Sequence, residues 1–273
     1  MSAPVPFLDD PFRTLWHGRD PFEAVEALQG EVFRELEARR TLRTEVADRG
    51  YFVKIHRGVG WAEIFKNLLS LRLPILGAEN EWLAIKRLEH LGVETMHGVA
   101  FAQRGRNPAS RHSFIVTEEL APTISLEDFC RNWPAEPPPV MFKRALISRV
   151  AEMARRMHRG GVNHRDFYIC HFLLHLEPVP TADTLKLSII DLHRAQVREK
   201  TPRRWRDKDL SSLYFSALSI GLTRRDVLRF LRGYFDRPLR GILKDEAPLL
   251  AYLLREADRL QERFLRKFAP GSP

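Results

Sequence analysis

Around Pro122 the chain changes character, and that change constrains its fold more than any other feature. Before it, short apolar segments bounded by turn residues read as strands. TLRTEV (41–46) and YFVKIH (51–56) flank Ala47-Asp48-Arg49-Gly50, a hairpin signal, and SFIVTEEL (113–120) is an apolar strand ending in two glutamates. After it, apolar residues recur at helical spacing. Phe142, Leu146, Val150, Met153 and Met157 form one stripe of MFKRALISRVAEMARRMH, which Gly160-Gly161 ends, and the tail from Thr223 to Phe268 reads as two or three amphipathic helices. Strands first and helices afterwards predict an α+β chain of two lobes, 1–120 and 121–273.

Helices also punctuate the first part. DPFEAVEALQ (20–29) reads as a short helix capped by Asp20, with Pro21 at its first position. WAEIFKNLLSLRLPIL is amphipathic up to a stop at Pro74, and GAENEWLAIKRLEHLGV aligns Trp82, Ile85 and Leu88 on one face before Gly92. The net charge of +9 favours an anionic partner: nucleic acid, phosphorylated lipid, nucleotide or acidic protein, between which charge alone does not choose. Nothing resembles an RRM, KH, OB or helix-turn-helix signature, which argues against nucleic acid. Two cysteines without a C-x-x-C suit a reducing compartment. The first residues lack a basic segment followed by an apolar one, and the uncharged run 210–223 is too short to span a bilayer and reads as a buried helix. A cytoplasmic chain is expected.

Five features fall in a telling order: a strand lysine (Lys54), a helix glutamate (Glu81), a strand ending at a polar junction, His164-Arg165-Asp166, and Ile189-Ile190-Asp191. This resembles the protein-kinase fold, strand-rich N-lobe first and helical C-lobe second. Lys54 and Glu81 are 27 residues apart, room for a connection and half a helix; Asp166 and Asp191 are 25 apart, room for a two-stranded ribbon. Phosphoryl transfer asks for these residue types. It needs phosphates clamped, a metal held against them and a hydroxyl aimed at the γ-phosphorus. A lysine supplies a point charge, a glutamate holds it, a carboxylate takes a hard cation, and a second carboxylate orients the acceptor and takes its proton.

More specifically, GYFVKIHRGVGW, EIFKNLL, ENEW, SFIVTEELAPT, HRDFYICHFLLH, IDLHRAQ, RWRDKDL and LYFSALSIGLTRRD are similar to the lipopolysaccharide core heptose kinases, in particular the kinase of the first inner-core heptose. The resemblance runs from about residue 20 to the C-terminal helices. It implies ATP-dependent phosphorylation of a heptose hydroxyl, O4, on a lipid A–core oligosaccharide, at the cytoplasmic face of a Gram-negative inner membrane. By position it implies that Lys54 anchors ATP, Glu81 pairs with it, Glu118, Glu119 and Leu120 contact the nucleotide, Asp166 is catalytic, and Asp191 and His171 hold Mg²⁺ or Mn²⁺.

Several positions depart from a protein kinase. No glycine-rich loop precedes Lys54; its hairpin should lie near EARRTL (37–42), where Arg39, Arg40 or Arg43 could substitute a side-chain contact to phosphate. His171 stands where kinases carry an asparagine ligand, although magnesium prefers oxygen, and Asp191-Leu192-His193 replaces Asp-Phe-Gly. The following segment is basic, and Arg194, Arg198, Arg203, Arg204 and Arg206 are candidates for an anionic acceptor. An acidic acyl carrier protein would also suit this charge.

Taken singly, most of these residues have an ordinary explanation. Lys54 could face solvent, Glu79 rivals Glu81, and Asp166 could cap a turn. His164, His171 and His175 with Cys170 fit no common zinc spacing, and Cys170 reads as a small buried residue. Asp209 is expected to start a helix and brace the catalytic loop. A protein (tyrosine) kinase, and an inactive kinase-like module binding an anionic lipid or carrier protein, remain as alternatives.

Overall fold

A computed structural model of the chain describes residues 6–69 and 77–268, so the expected stop at Pro74 lies outside the described residues. The chain divides into two compact units. One comprises Met1–Lys86, Met96–Leu120 and Leu192–Arg194; the other comprises Arg87–Thr95, Ala121–Asp191 and Ala195–Pro273.

The first unit contains, in order, β1 (Phe7–Leu8), α1 (Phe12–Leu15), α2 (Pro21–Glu26), β2 (Glu31–Leu36), β3 (Arg39–Val46), β4 (Arg49–His56), α3 (Gly60–Leu69), α4 (Glu79–His90), β5 (Gly98–Arg104) and β6 (His112–Glu118). The last turn of α4 is grouped with the second unit. The strands form one antiparallel sheet in the order β1-β5-β6-β4-β3-β2. Alternation along the strands separates two faces. Leu42, Tyr51, Val53, Ile55, Phe114 and Val116 point into a core closed by Phe12, Trp16, Phe22 and Val25 from α1 and α2. Burying a side chain of this size contributes about 1.5–3 kcal/mol, which explains why the N-terminal helices stay on this face. Asp20 caps α2 as expected, accepting from the Phe22 and Glu23 N–H groups.

The hairpin between β3 and β4 is tighter than the four-residue signal suggested. Its loop is Ala47-Asp48 alone, with φ of 51° and 59°. Both residues are left-handed, which suits the twist of a two-residue connection. Gly50 then lies on β4, where a Cβ would meet the Glu119 carboxylate at 1.8 Å.

The second unit begins with β7 (Thr123–Ser125), α5 (Leu126–Phe129), the long α6 (Val140–Arg159) and β8 (Val162–Asn163). It continues with β9 (Phe172–His175), β10 (Leu187–Ile189), β11 (Gln196–Val197), α7 (Arg203–Ser216), α8 (Arg224–Phe235), α9 (Leu239–Asp245) and α10 (Ala247–Phe268). Leu146, Val150, Met153 and Met157 of the expected stripe are buried on α6. The ribbon expected between the two aspartates is the antiparallel pair β9–β10. The run 210–223 is not one helix. α7 carries it to Ser216, and Gly221, at φ 70°, turns the chain before Thr223 and Asp226 form a capping box for α8. α7 also starts earlier than expected, at Arg203, so Asp209 lies inside it rather than at its start. No helix among the described residues is long and apolar enough to cross a membrane.

Candidate active site

In the first unit, β4 points Val53 and Ile55 into the core and Lys54 to the opposite face. There the Lys54 ammonium donates to Glu81 Oε1 at 2.6 Å, and the Glu81 side chain is 1% exposed. Its rival Glu79 instead lies 3.5 Å from Arg111 and is half exposed to solvent. Register completes the face: Thr41 of β3 sits opposite Lys54, and Arg39 opposite His56. Burial pushes the His56 imidazole down to about 3, and Arg39, Lys54 and His193 push the same way, so this histidine is neutral at physiological pH. Thr41 Oγ1, His56 Nε2 and Glu81 Oε2 are all buried with no hydrogen-bond partner among the described residues.

The expected phosphate arginines divide. Arg40 donates to the Glu26 carbonyl at 3.0 Å and lies 3.1 Å from Glu35, while Arg43 grips Glu119 with Nε and Nη2 at 2.9 and 2.8 Å. Arg39 and Arg43 both stand on the Lys54 face, but Arg43 is held there by Glu119. The same geometry occupies Glu119, whose N–H also donates to the Gly50 carbonyl at 2.9 Å. The Glu118 N–H donates to His97, and its carboxylate lies 3.8 Å from Arg49. Leu120 follows directly, as the last residue of this part of the unit.

In the second unit, Asp209 organises the loop that leaves β8. Its carboxylate accepts the His164 N–H at 2.7 Å and the Arg165 N–H at 2.8 Å. His158 Nε2 lies 3.3 Å from the same carboxylate, and its Nδ1 is 2.8 Å from the Tyr234 hydroxyl. With Nε2–H donating to Asp209 and Tyr234 donating to Nδ1, every group is satisfied. The grip holds Arg165 at φ 75°, a left-handed conformation that a side-chain-bearing residue adopts only under constraint. Asp166 follows immediately. Phe167, Ile169 and Phe172 are buried behind the loop, whereas Cys170, expected to be a small buried residue, is only half-buried. Burial pushes the Cys170 thiol up to about 11 and Cys130 up to about 12, which leaves neither a nucleophile near neutral pH.

His171 Nδ1 donates to the Asp166 carbonyl at 2.6 Å. That fixes its tautomer, and Nε2 then faces Asp191 Oδ2 at 3.5 Å. Asp191 sits at φ 62°, just beyond β10. In the neutral ring, two electron pairs confront each other, an arrangement that suits a cation between them. The other histidines have separate partners: His164 Nε2 donates to the Ile190 carbonyl, and His175 Nε2 lies 2.9 Å from Ser188 Oγ.

The expected acceptor arginines are less available than their sequence suggests. Arg198 bonds Asn163 and Gln196. Arg203 and Arg206 converge on Glu246, at 3.2 and 3.3 Å. Arg194 belongs to the short turn grouped with the first unit. Arg204 is exposed, with its guanidinium 4.4 Å from the Trp205 ring centre. Arg165 and Lys208 lie 5.7 and 5.6 Å from the same ring. Trp205, Thr41 and His56 are the residues that sequence reasoning passed over. His56 does follow Lys54 by two, the spacing of one strand face.

A model of the Lipopolysaccharide kinase (Kdo/WaaP) family matches residues 23–234. The chain belongs to this family. Among curated relatives, a lipopolysaccharide core heptose(I) kinase WaaP of Pseudomonas aeruginosa is 66% identical over 256 residues, covering 94% of this chain and 96% of the relative. An Escherichia coli protein of the same description is 60% identical over 260 residues, covering 95% and 98%. A solved structure, WaaP in complex with acyl carrier protein, is 61% identical, covers 94% of this chain and 99% of its own, and superposes with a TM-score of 0.85. Membership of the Kdo/WaaP family accords with the expected two-part kinase-like fold and makes the chain a kinase.

Proposed function

We propose that the chain transfers the γ-phosphoryl group of ATP to O4 of the first heptose in the inner core of lipopolysaccharide. The observation that carries the chemistry is the buried Lys54–Glu81 pair at 2.6 Å, in a chain so similar to proteins named heptose(I) kinases. Lys54 holds ATP phosphate oxygens and Glu81 keeps the ammonium in place. Asp166 orients the acceptor hydroxyl and takes its proton as the oxygen bonds to phosphorus and the ADP oxygen leaves. The Glu118 and Glu119 carbonyls and the Leu120 backbone serve the nucleotide, since the N–H groups and carboxylates of both glutamates have partners within the first unit.

Asp191 and His171 would hold a divalent cation. The charge it would supply there neutralises phosphate oxygens, with the two side chains as its protein ligands. A nitrogen ligand suits Mn²⁺ better than Mg²⁺. Of the basic segment, Arg204, with Arg165 and Lys208 around Trp205, is best placed to meet an anionic core sugar. Arg194 is a further candidate, while Arg198, Arg203 and Arg206 act mainly within the protein. The acceptor places the enzyme against the cytoplasmic face of the inner membrane, and its net charge of +9 suits an acidic acyl carrier protein as partner.

The test is transfer of labelled phosphate from ATP to lipopolysaccharide whose heptose is unphosphorylated, with Mg²⁺ or Mn²⁺, beside Asp166→Asn and a generic protein acceptor. Label entering the core sugar with wild type alone is expected. Label entering only protein would overturn the assignment of acceptor.

A further inference from the structure

Buried polar atoms almost always have hydrogen-bond partners, so a group of them without any, beside a charged residue of the site, calls for an explanation that a bound ligand supplies. The first unit has such a group beside Lys54. His56 is 4% exposed, yet its Nε2 has no hydrogen-bond partner among the described residues, and the Thr41 hydroxyl oxygen opposite Lys54 is buried in the same condition. Cross-strand neighbours of this kind stand about 5 Å apart, so the Lys54 ammonium, the Thr41 hydroxyl and the His56 ring line one short stretch of a single sheet face. The hairpin ahead of them, Glu37-Ala38, has no glycine through which the backbone could approach a ligand closely.

We propose that Thr41 and His56 form a side-chain cradle for the phosphate chain of a nucleoside triphosphate, taking the part that backbone amides of a glycine-rich loop take elsewhere. The inference rests on the kinase reading and names the contacts that reading lacks. The Thr41 O–H and the His56 Nε2–H donate to phosphate oxygens, and Lys54 supplies the charge. A neutral imidazole suits this position: it donates without adding a second buried cation beside Lys54.

The experiment is calorimetry of the full chain with AMP, ADP and ATP, using Thr41→Val, His56→Leu and His56→Gln. Removing a hydrogen bond to a charged oxygen should weaken ATP binding about tenfold or more in Thr41→Val and in His56→Leu, while AMP binding changes less than about twofold. His56→Gln, which keeps an N–H, should recover part of the loss. Thr41→Val preserves shape and keeps the test open should His56→Leu fail to fold. Equal losses for ATP and AMP, or unchanged ATP binding in the variants, would overturn the cradle alone. A wild-type chain that binds no nucleotide would overturn the kinase reading together with it.

Discussion

The two units each bury a charged cluster, and the clusters differ in one respect. Around Asp209 every oxygen is used: two backbone N–H groups and a histidine converge on it, and Tyr234 closes the far side of that histidine. Around Lys54 the ion pair is as short, but Glu81 Oε2, Thr41 Oγ1 and His56 Nε2 are left over. A fully satisfied buried network rigidifies, because each partner removes the penalty of burying the others. A network with unfilled positions carries that penalty until a ligand removes it. On the proposed reading Asp209 is scaffold and the Lys54 face is receptor, although both look alike as buried charge.

The sharpest way to break this distinction is to remove Asp209. Asp209→Ala leaves the His164 and Arg165 amides without an acceptor and His158 without its anion. Losing one partner of a buried charged network costs on the order of 3–5 kcal/mol. Denaturant unfolding should show that loss, with activity falling in step. A variant that unfolded like wild type while losing activity would move Asp209 from scaffold to chemistry.

The parts of this distinction that sequence could reach are those carried by order along the chain. Lys54, Glu81, Asp166 and Asp191 were legible because each has a neighbouring pattern: a strand, a helix stop, an HRD, an apolar strand end. The hairpin was legible from its turn residues and the α6 stripe from period alone. What was not legible depends on partners brought together by folding. Asp209 meets Arg165 from 44 residues away, and Arg206 meets Glu246 from 40, so two arginines of a segment that reads as a basic groove are paired with carboxylates inside the protein. The pairing of Thr41 with Lys54 depends on strand register, fixed here by a two-residue turn that a four-residue signal did not specify.

His56 gives a pH signature of intermediate size. In the unfolded chain it titrates at its ordinary value of 6.5, and in the fold at about 3. Between these values the unfolded chain binds a proton that the folded chain does not. The contribution of His56 is therefore complete above pH 6.5 and is lost as pH falls toward 3, at roughly 1.4 kcal/mol per unit. Urea midpoints of wild type between pH 7 and 5 should fall more steeply than those of His56→Gln. Parallel profiles would mean that the ring is not held neutral.

A smaller effect on stability, and a total one on turnover, is expected when the receptor pair is replaced as a unit. Lys54→Met with Glu81→Leu removes both charges and fills their space with apolar atoms. Because the pair gains little over well-packed hydrophobic residues, stability should stay within about 1 kcal/mol of wild type or rise. Phosphate transfer should vanish. A fall of several kcal/mol would show the pair to be a scaffold like Asp209, and the contrast between the units would collapse.

The smallest effect is expected at Arg43 and Glu119, where a forked ion pair joins β3 to the residue after β6. Its atoms are satisfied, as around Asp209, but its side chains keep 31% and 21% exposure, so water competes for each charge. A double-mutant cycle with Arg43→Ala and Glu119→Ala should give a coupling of roughly 1 kcal/mol that shrinks as salt is added. Hydrogen-bond completeness therefore separates scaffold from receptor only among groups that are truly buried; at this half-exposed pair solvent can complete either state, and the same geometry holds less energy. A coupling as large as the Asp209 effect would mean that burial matters less than geometry, and would reverse the order of influence assigned to the two.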